Sequence, residues 1–120
     1  EAAGYGAAAP LGRDTRIATV GIGYADGFLR AGSGAGVATW PGRPLPTAFL
    51  AGRPVPVLGR ISMDLTLLDV TDLPEDSVRP GDRAEFYGPN VPIEQVAATA
   101  GTIPYELLTG LGPRVARNWR

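Results

Sequence analysis

Glycine and proline interrupt this chain so often that no long uninterrupted element can form. They number 17 and 12 of 120 residues, near the density at which disorder has to be weighed. They form no repeat, however. They fall between apolar segments, where they mark turns between short strands. "TRIATVGI" (Thr15–Ile22) is rich in β-branched residues and predicts a buried strand. "GVATW" (Gly36–Trp40) predicts a second, closed by Pro41 and Gly42. "PLPTAFLAGRPVPVLGRI" (residues 44–61) predicts two strands about an Ala51–Gly52 turn, and its prolines favour sheet edges. "DLTLLDVT" (Asp64–Thr71) is the clearest strand pattern. "RAEFYG" (Arg83–Gly88) is another, entered through the turn "RPGD" (Arg79–Asp82).

Two helices are expected late in the chain. "PIEQVAATAG" (Pro92–Gly101) has proline in its first turn, an early Glu94 and a terminal glycine. "IPYELLTGLG" (Ile103–Gly112) has Pro104 near its start and sets Leu107, Leu108 and Leu111 on one side. The tail "PRVARNWR" (Pro113–Arg120) offers a returning strand. The predicted fold class is therefore mainly β, a small Greek-key-like β-barrel with two short helices near the C-terminal end. Residues 1–14 carry no capped first element and read as a linker, which leaves residues 15–120 as the folded domain.

Composition removes several kinds of chemistry. Cysteine and histidine are both absent, so neither a disulfide framework nor an ordinary zinc site is expected, and no metal is assigned. All eleven basic residues are arginine, so there is no lysine amine to bind a carbonyl cofactor covalently. The net charge of −1 provides no basic footprint for nucleic acid. No apolar run approaches the roughly 18 residues of a membrane span. The expectation is a soluble single domain with a modest core.

Three motifs are left once turns and core are accounted for: "GYADG" (Gly23–Gly27), "GRISMD" (Gly59–Asp64) and "TIPYE" (Thr102–Glu106). Singly, each admits a packing explanation. Tyr24 suits a half-buried aromatic beside a tight turn, and Met63 a filler of core gaps. Arg60 and Asp64 suit a surface ion pair. Tyr105 suits a ring packed on one face with its hydroxyl in water.

Taken in order, the three motifs resemble the C-terminal domain of the alanine racemases, enzymes of fold type III that depend on pyridoxal phosphate. The resemblance rests on "RIATVGIGYADGFLR", "PVLGRISMDLTLLDVTDLP" and "GTIPYELLTGLGPRVAR", and it spans nearly the whole chain. It implies an N-terminal α/β barrel that holds the cofactor on a lysine, a head-to-tail homodimer, a cytoplasmic location and alanine as substrate. It also implies that each active site lies between one subunit's barrel and its partner's β domain. Tyr24 matches the tyrosine sent into the partner's site as one of two catalytic bases. Met63 matches a residue whose backbone meets the substrate's carboxylate end, and Tyr105 a tyrosine near the cofactor phosphate. Arg60, Asp64 and Ile103 match the lining of the substrate entrance.

The chemistry behind these roles is simple. Racemisation removes a proton from one face of the α-carbon and returns one to the other, so two proton carriers must flank it. A tyrosine acts as one of them only with help from cations or hydrogen bonds, which arginines or the barrel would have to supply. Without lysine, this chain is expected to be inactive by itself. A racemase of serine or of another amino acid on the same two domains is an alternative reading, and so is a non-catalytic β-barrel used for dimerisation or binding.

Overall fold

The computed structural model describes residues 2–3, 9–34 and 42–118. Six short strands are followed by two helices: β1 (Ala2–Ala3), β2 (Ala9–Pro10), β3 (Ile17–Val20), β4 (Thr47–Leu50), β5 (Arg53–Leu58), β6 (Thr66–Asp69), α1 (Ile93–Ala100) and α2 (Pro104–Thr109). β1 and β2 pair antiparallel with each other, so the stretch read as a linker contains a two-rung ladder. The other four strands form one antiparallel sheet in the order β3-β6-β5-β4.

The Ala51–Gly52 turn forms as the sequence predicts. Leu50 and Arg53 close the β4–β5 hairpin, and both turn residues have positive φ, 52° and 77°. That backbone matches the right-handed twist of the two strands it joins.

The prolines of β5 act differently from the expectation of an edge. β5 lies inside the sheet, between β6 and β4. Successive N–H groups of a strand point to opposite edges. The N–H of Val57 donates toward the β4 side, to the Pro46 carbonyl at 3.1 Å, so the missing donors of Pro54 and Pro56 fall on the β6 side. There β6 pairs only with Val57 and Leu58, beyond both prolines. The sheet thus tolerates prolines in an interior strand because its neighbour begins pairing after them.

The segment predicted as a strand at Arg83–Gly88 contracts to one bridge. Phe49 and Glu85 exchange both backbone hydrogen bonds at 2.8 Å, which covers part of the outer edge of β4. The Glu85 carboxylate turns back and accepts from the N–H groups of Asn90 and Val91, which bends the chain away before a longer ladder can form. No strand forms over residues 113–118, and Gly36–Trp40 lies outside the described residues. Among the described residues the sheet is open, so the architecture is a mainly β sheet with two short helices.

Alternation along the strands builds the core. Ala48 and Leu50 of β4, Val55 and Val57 of β5, and Leu68 of β6 are buried together with Phe28, Ile61, Val70, Leu73 and Phe86. Phe28 and Phe86 meet edge to face at 4.8 Å between ring centres. Burying a side chain such as Leu68 contributes about 1.5–3 kcal/mol. α1 follows Pro92 and ends at Gly101, whose φ of 71° lets its N–H reach the Ala97 and Ala98 carbonyls. Arg43 donates to the carbonyls of Thr99, at the end of α1, and of Ala31 and Ser33. Burial pushes the Arg43 guanidinium below its ordinary value. α2 starts at Pro104 and buries Leu107.

Candidate active-site surface

Tyr24 leaves the sheet just after β3, in a 3-10 turn spanning Tyr24–Asp26. Two neighbouring segments hold that turn. On one side the N–H groups of Tyr24 and Ala25 donate to the carbonyls of Ser62 and Met63, each at 3.0 Å. This approach requires a glycine before the tyrosine. A Cβ on Gly23 would lie 2.2 Å from the Ser62 oxygen and 2.4 Å from that of Met63. The φ of Gly23 is an ordinary extended −151°, so the requirement is one of space. On the other side, Gly27 adopts φ 98°, and a Cβ there would lie 2.4 Å from the Gly110 oxygen. The Gly112 N–H completes that contact by donating to the Asp26 carbonyl at 3.0 Å.

Asp26 closes the turn on itself. Its N–H donates to the Gly23 carbonyl at 3.0 Å, and its carboxylate accepts from the Gly23 N–H at 3.1 Å. The same side chain, only 5% exposed, accepts from Arg114 Nε at 2.7 Å and Nη2 at 2.6 Å. The Arg114 bonds first, and the Gly23 N–H second, hold the Asp26 carboxyl down at about 2 against the opposing effect of burial. Arg114 is correspondingly raised by the same pairing.

The sign of this linkage follows from the direction of the shift. A depressed carboxylate adds stability that is fully present above its unfolded value, near 3.8, and lost as pH falls through about 2. A carboxyl-carbon NMR titration of this chain should therefore place the Asp26 midpoint near 2. In Arg114→Gln the midpoint should climb back toward the ordinary carboxylate range. An unchanged midpoint in that variant would refute the pairing.

The backbone of Tyr24 is thus held from both sides while its side chain stays 44% exposed. It lines an open pocket of about 440 Å³ with Arg30, Ile61, Ser62, Met63, Asp64 and Leu65. Met63 is carried outward, 53% exposed, on a turn in which the N–H and hydroxyl of Ser62 both bond the Leu65 carbonyl. Tyr24, Met63 and Asp64 therefore share one wall. Arg60 faces an adjoining pocket of about 340 Å³ with Ala31, Ser33 and Arg30, and Arg30 lines both. Ile103 and Tyr105 stand apart at the start of α2, exposed by 60% and 76%. Neither lines the Tyr24 pocket.

Two parts of this surface carried no role in the sequence reading: Arg30 as a wall of both pockets, and the Asp26–Arg114 pair. An acid three residues after Gly23 has the spacing of a capping box, which was a readable sign that Asp26 serves the turn. Its partner lies 88 residues away, and no local pattern identifies it. Among the described residues no group of His, Cys, Asp or Glu could hold a metal ion.

The family described as alanine racemase, C-terminal domain, matches residues 1–119. The alanine racemase of Rhizobium meliloti (strain 1021) is 55% identical over 118 residues, covering 98% of this chain and 31% of that protein. The chain thus spans about a third of the length of the relative it matches. The crystal structure of biosynthetic alanine racemase from Pseudomonas aeruginosa superimposes with a TM-score of 0.84 at 37% identity, covering all of this chain and 30% of that one. That of alanine racemase from Bartonella henselae with covalently bound pyridoxal phosphate gives 0.72 at 39% identity, covering 87% and 27%.

Proposed function

Because the chain belongs to the alanine racemase C-terminal domain family, we propose that it supplies half of the active site of a racemase interconverting L- and D-alanine. The observation that carries this reading is the treatment of Tyr24: its backbone is locked between two segments while its side chain is left over a pocket shared with Met63. A packing aromatic needs no such frame. A proton carrier does, because its oxygen must meet one carbon at one angle.

In this reading residues 1–14 link to an N-terminal α/β barrel, and residues 15–120 are the β domain of a head-to-tail homodimer in the cytoplasm. The four-stranded sheet belongs to a small Greek-key-like β-barrel. The pocket beside Tyr24 faces the partner subunit's barrel. Among the described residues no helix is long and apolar enough to cross a membrane.

Pyridoxal phosphate, when bound, supplies the electron sink that makes the α-proton of alanine removable. The chain has no lysine, so the amine that holds this cofactor belongs to the rest of the enzyme. What the chain offers is compatible with that division. Tyr105 presents an exposed phenol at the start of α2, suited to donate to a phosphate oxygen. The Tyr24 hydroxyl takes or returns the proton on one face of the α-carbon. The turn carrying Met63 brings its backbone to the carboxylate end of the substrate. Arg60, Asp64 and Ile103 line the way in and exclude bulk water.

The test uses two variants of the full-length parent, each inactive alone: Tyr24→Phe, and a barrel variant without the cofactor-holding lysine. Mixed and allowed to exchange subunits, they should regain about a quarter of wild-type activity, since half of the dimers carry one intact composite site. Recovery of no activity would overturn the sharing of sites between subunits.

A further inference from the structure

We infer that Arg114 and Asp26 are positioning residues for Tyr24, setting where its hydroxyl stands over the pocket. This rests on the proposed role of Tyr24 and deepens it. The guanidinium of Arg114 straddles the tyrosine along the chain. Nη2 donates to the Gly21 carbonyl at 3.4 Å, before Tyr24, and to Asp26 Oδ2 at 2.6 Å, after it. With Nε also on Oδ1, the pair is bidentate, so the planar fork fixes orientation as well as distance.

The same nitrogen lies 4.0 Å from Asp64 Oδ1, on the turn that carries Met63. One side chain therefore reaches both the turn that carries Tyr24 and the turn that carries Met63. The surroundings do not suggest a bond formed for stability alone. The Arg114 side chain is 56% exposed, so solvent screening tempers what the pair adds to folding. The carboxylate it holds is nevertheless buried directly beneath the tyrosine turn, with the Gly112 N–H on the Asp26 carbonyl. Moving Arg114 shifts Asp26, and the turn moves with Asp26 as one unit.

The test uses the full-length parent loaded with cofactor, in the variants Arg114→Lys and Asp26→Asn, each with and without Tyr24→Phe. Lysine keeps the charge and loses the fork, while asparagine keeps the shape and loses the charge. Misplacement of a reacting group by about 1 Å costs roughly 10²-fold, so kcat should fall by about that factor in either variant, with KM little changed. The loss of α-deuterium exchange should fall on the same enantiomer that Tyr24→Phe affects. In the Tyr24→Phe background neither change should cost anything further, because residues acting through one group are not additive.

A purely structural pair would lower exchange from both enantiomers alike and would cost the same in either background; either result overturns the inference. If one variant fails to fold, the other is read by the same criteria. If Tyr24→Phe alone leaves racemisation intact, the role of Tyr24 falls and this inference falls with it. If Tyr24→Phe is impaired but uncoupled from Arg114 and Asp26, only this inference falls. Addition of guanidinium to Arg114→Ala should restore part of the lost exchange, and only for that enantiomer; restoration for both alike, or none, counts against it.

Discussion

Tyr24→Phe in the full-length parent should lower racemisation in both directions by at least about 10²-fold, the lower end of what a positioned general base contributes. The substitution removes only a hydroxyl. The backbone bonds of Tyr24 and Ala25 to Ser62 and Met63 do not involve that oxygen, so the turn and the fold should survive with little change in stability. The diagnostic result is an asymmetry. If Tyr24 serves one face of the α-carbon, abstraction from one enantiomer of alanine should fall far more than abstraction from the other. Deuterium wash-in from each enantiomer measures this directly. Equal losses, or nearly full activity, would return Tyr24 to the rank of a packing residue.

Gly23→Ala should damage both the fold and the pocket. Its Cβ would lie 2.2 Å from the Ser62 oxygen and 2.4 Å from the Met63 oxygen. Both atoms are backbone and accept bonds from the Tyr24 turn. The clash is relieved only by separating the two segments, which breaks those bonds. Overpacking of this kind costs about 1–3 kcal/mol, visible as a lower denaturation midpoint of this chain. In the parent enzyme the displaced tyrosine should cost a further factor of roughly 10² in kcat. Gly21→Ala is the matched control two residues earlier. A Cβ there meets nothing within 4 Å, so stability should stay within about 0.5 kcal/mol. Equal effects of the two substitutions would show that close approach is not what Gly23 provides.

Signals carried by a few adjacent residues were legible in the sequence. The Ala51–Gly52 turn, the Pro92 start and Gly101 end of α1, and the Pro104 start of α2 are each specified within about one turn of chain, because φ preferences and missing donors act locally. The glycines around Tyr24 marked that residue, although Gly23 is required by the close approach of Ser62 and Met63 and not by its own φ, and the absence of lysine means that no lysine of this chain holds a cofactor.

What the sequence could not express were relations between distant segments. The strand order β3-β6-β5-β4 places a proline-bearing strand inside the sheet, and only the register of β6 decides that its prolines are harmless. Arg83–Gly88 has strand composition, yet the Glu85 carboxylate captures the Asn90 and Val91 amides and reduces it to a bridge. Arg114 reads as one arginine among eleven until the fold carries it 88 residues back onto Asp26. Turn geometry is decided by the torsions of neighbouring residues and so is determined by the sequence itself. Which buried carboxylate meets which guanidinium is decided by how the whole core closes, and only the tertiary structure settles it.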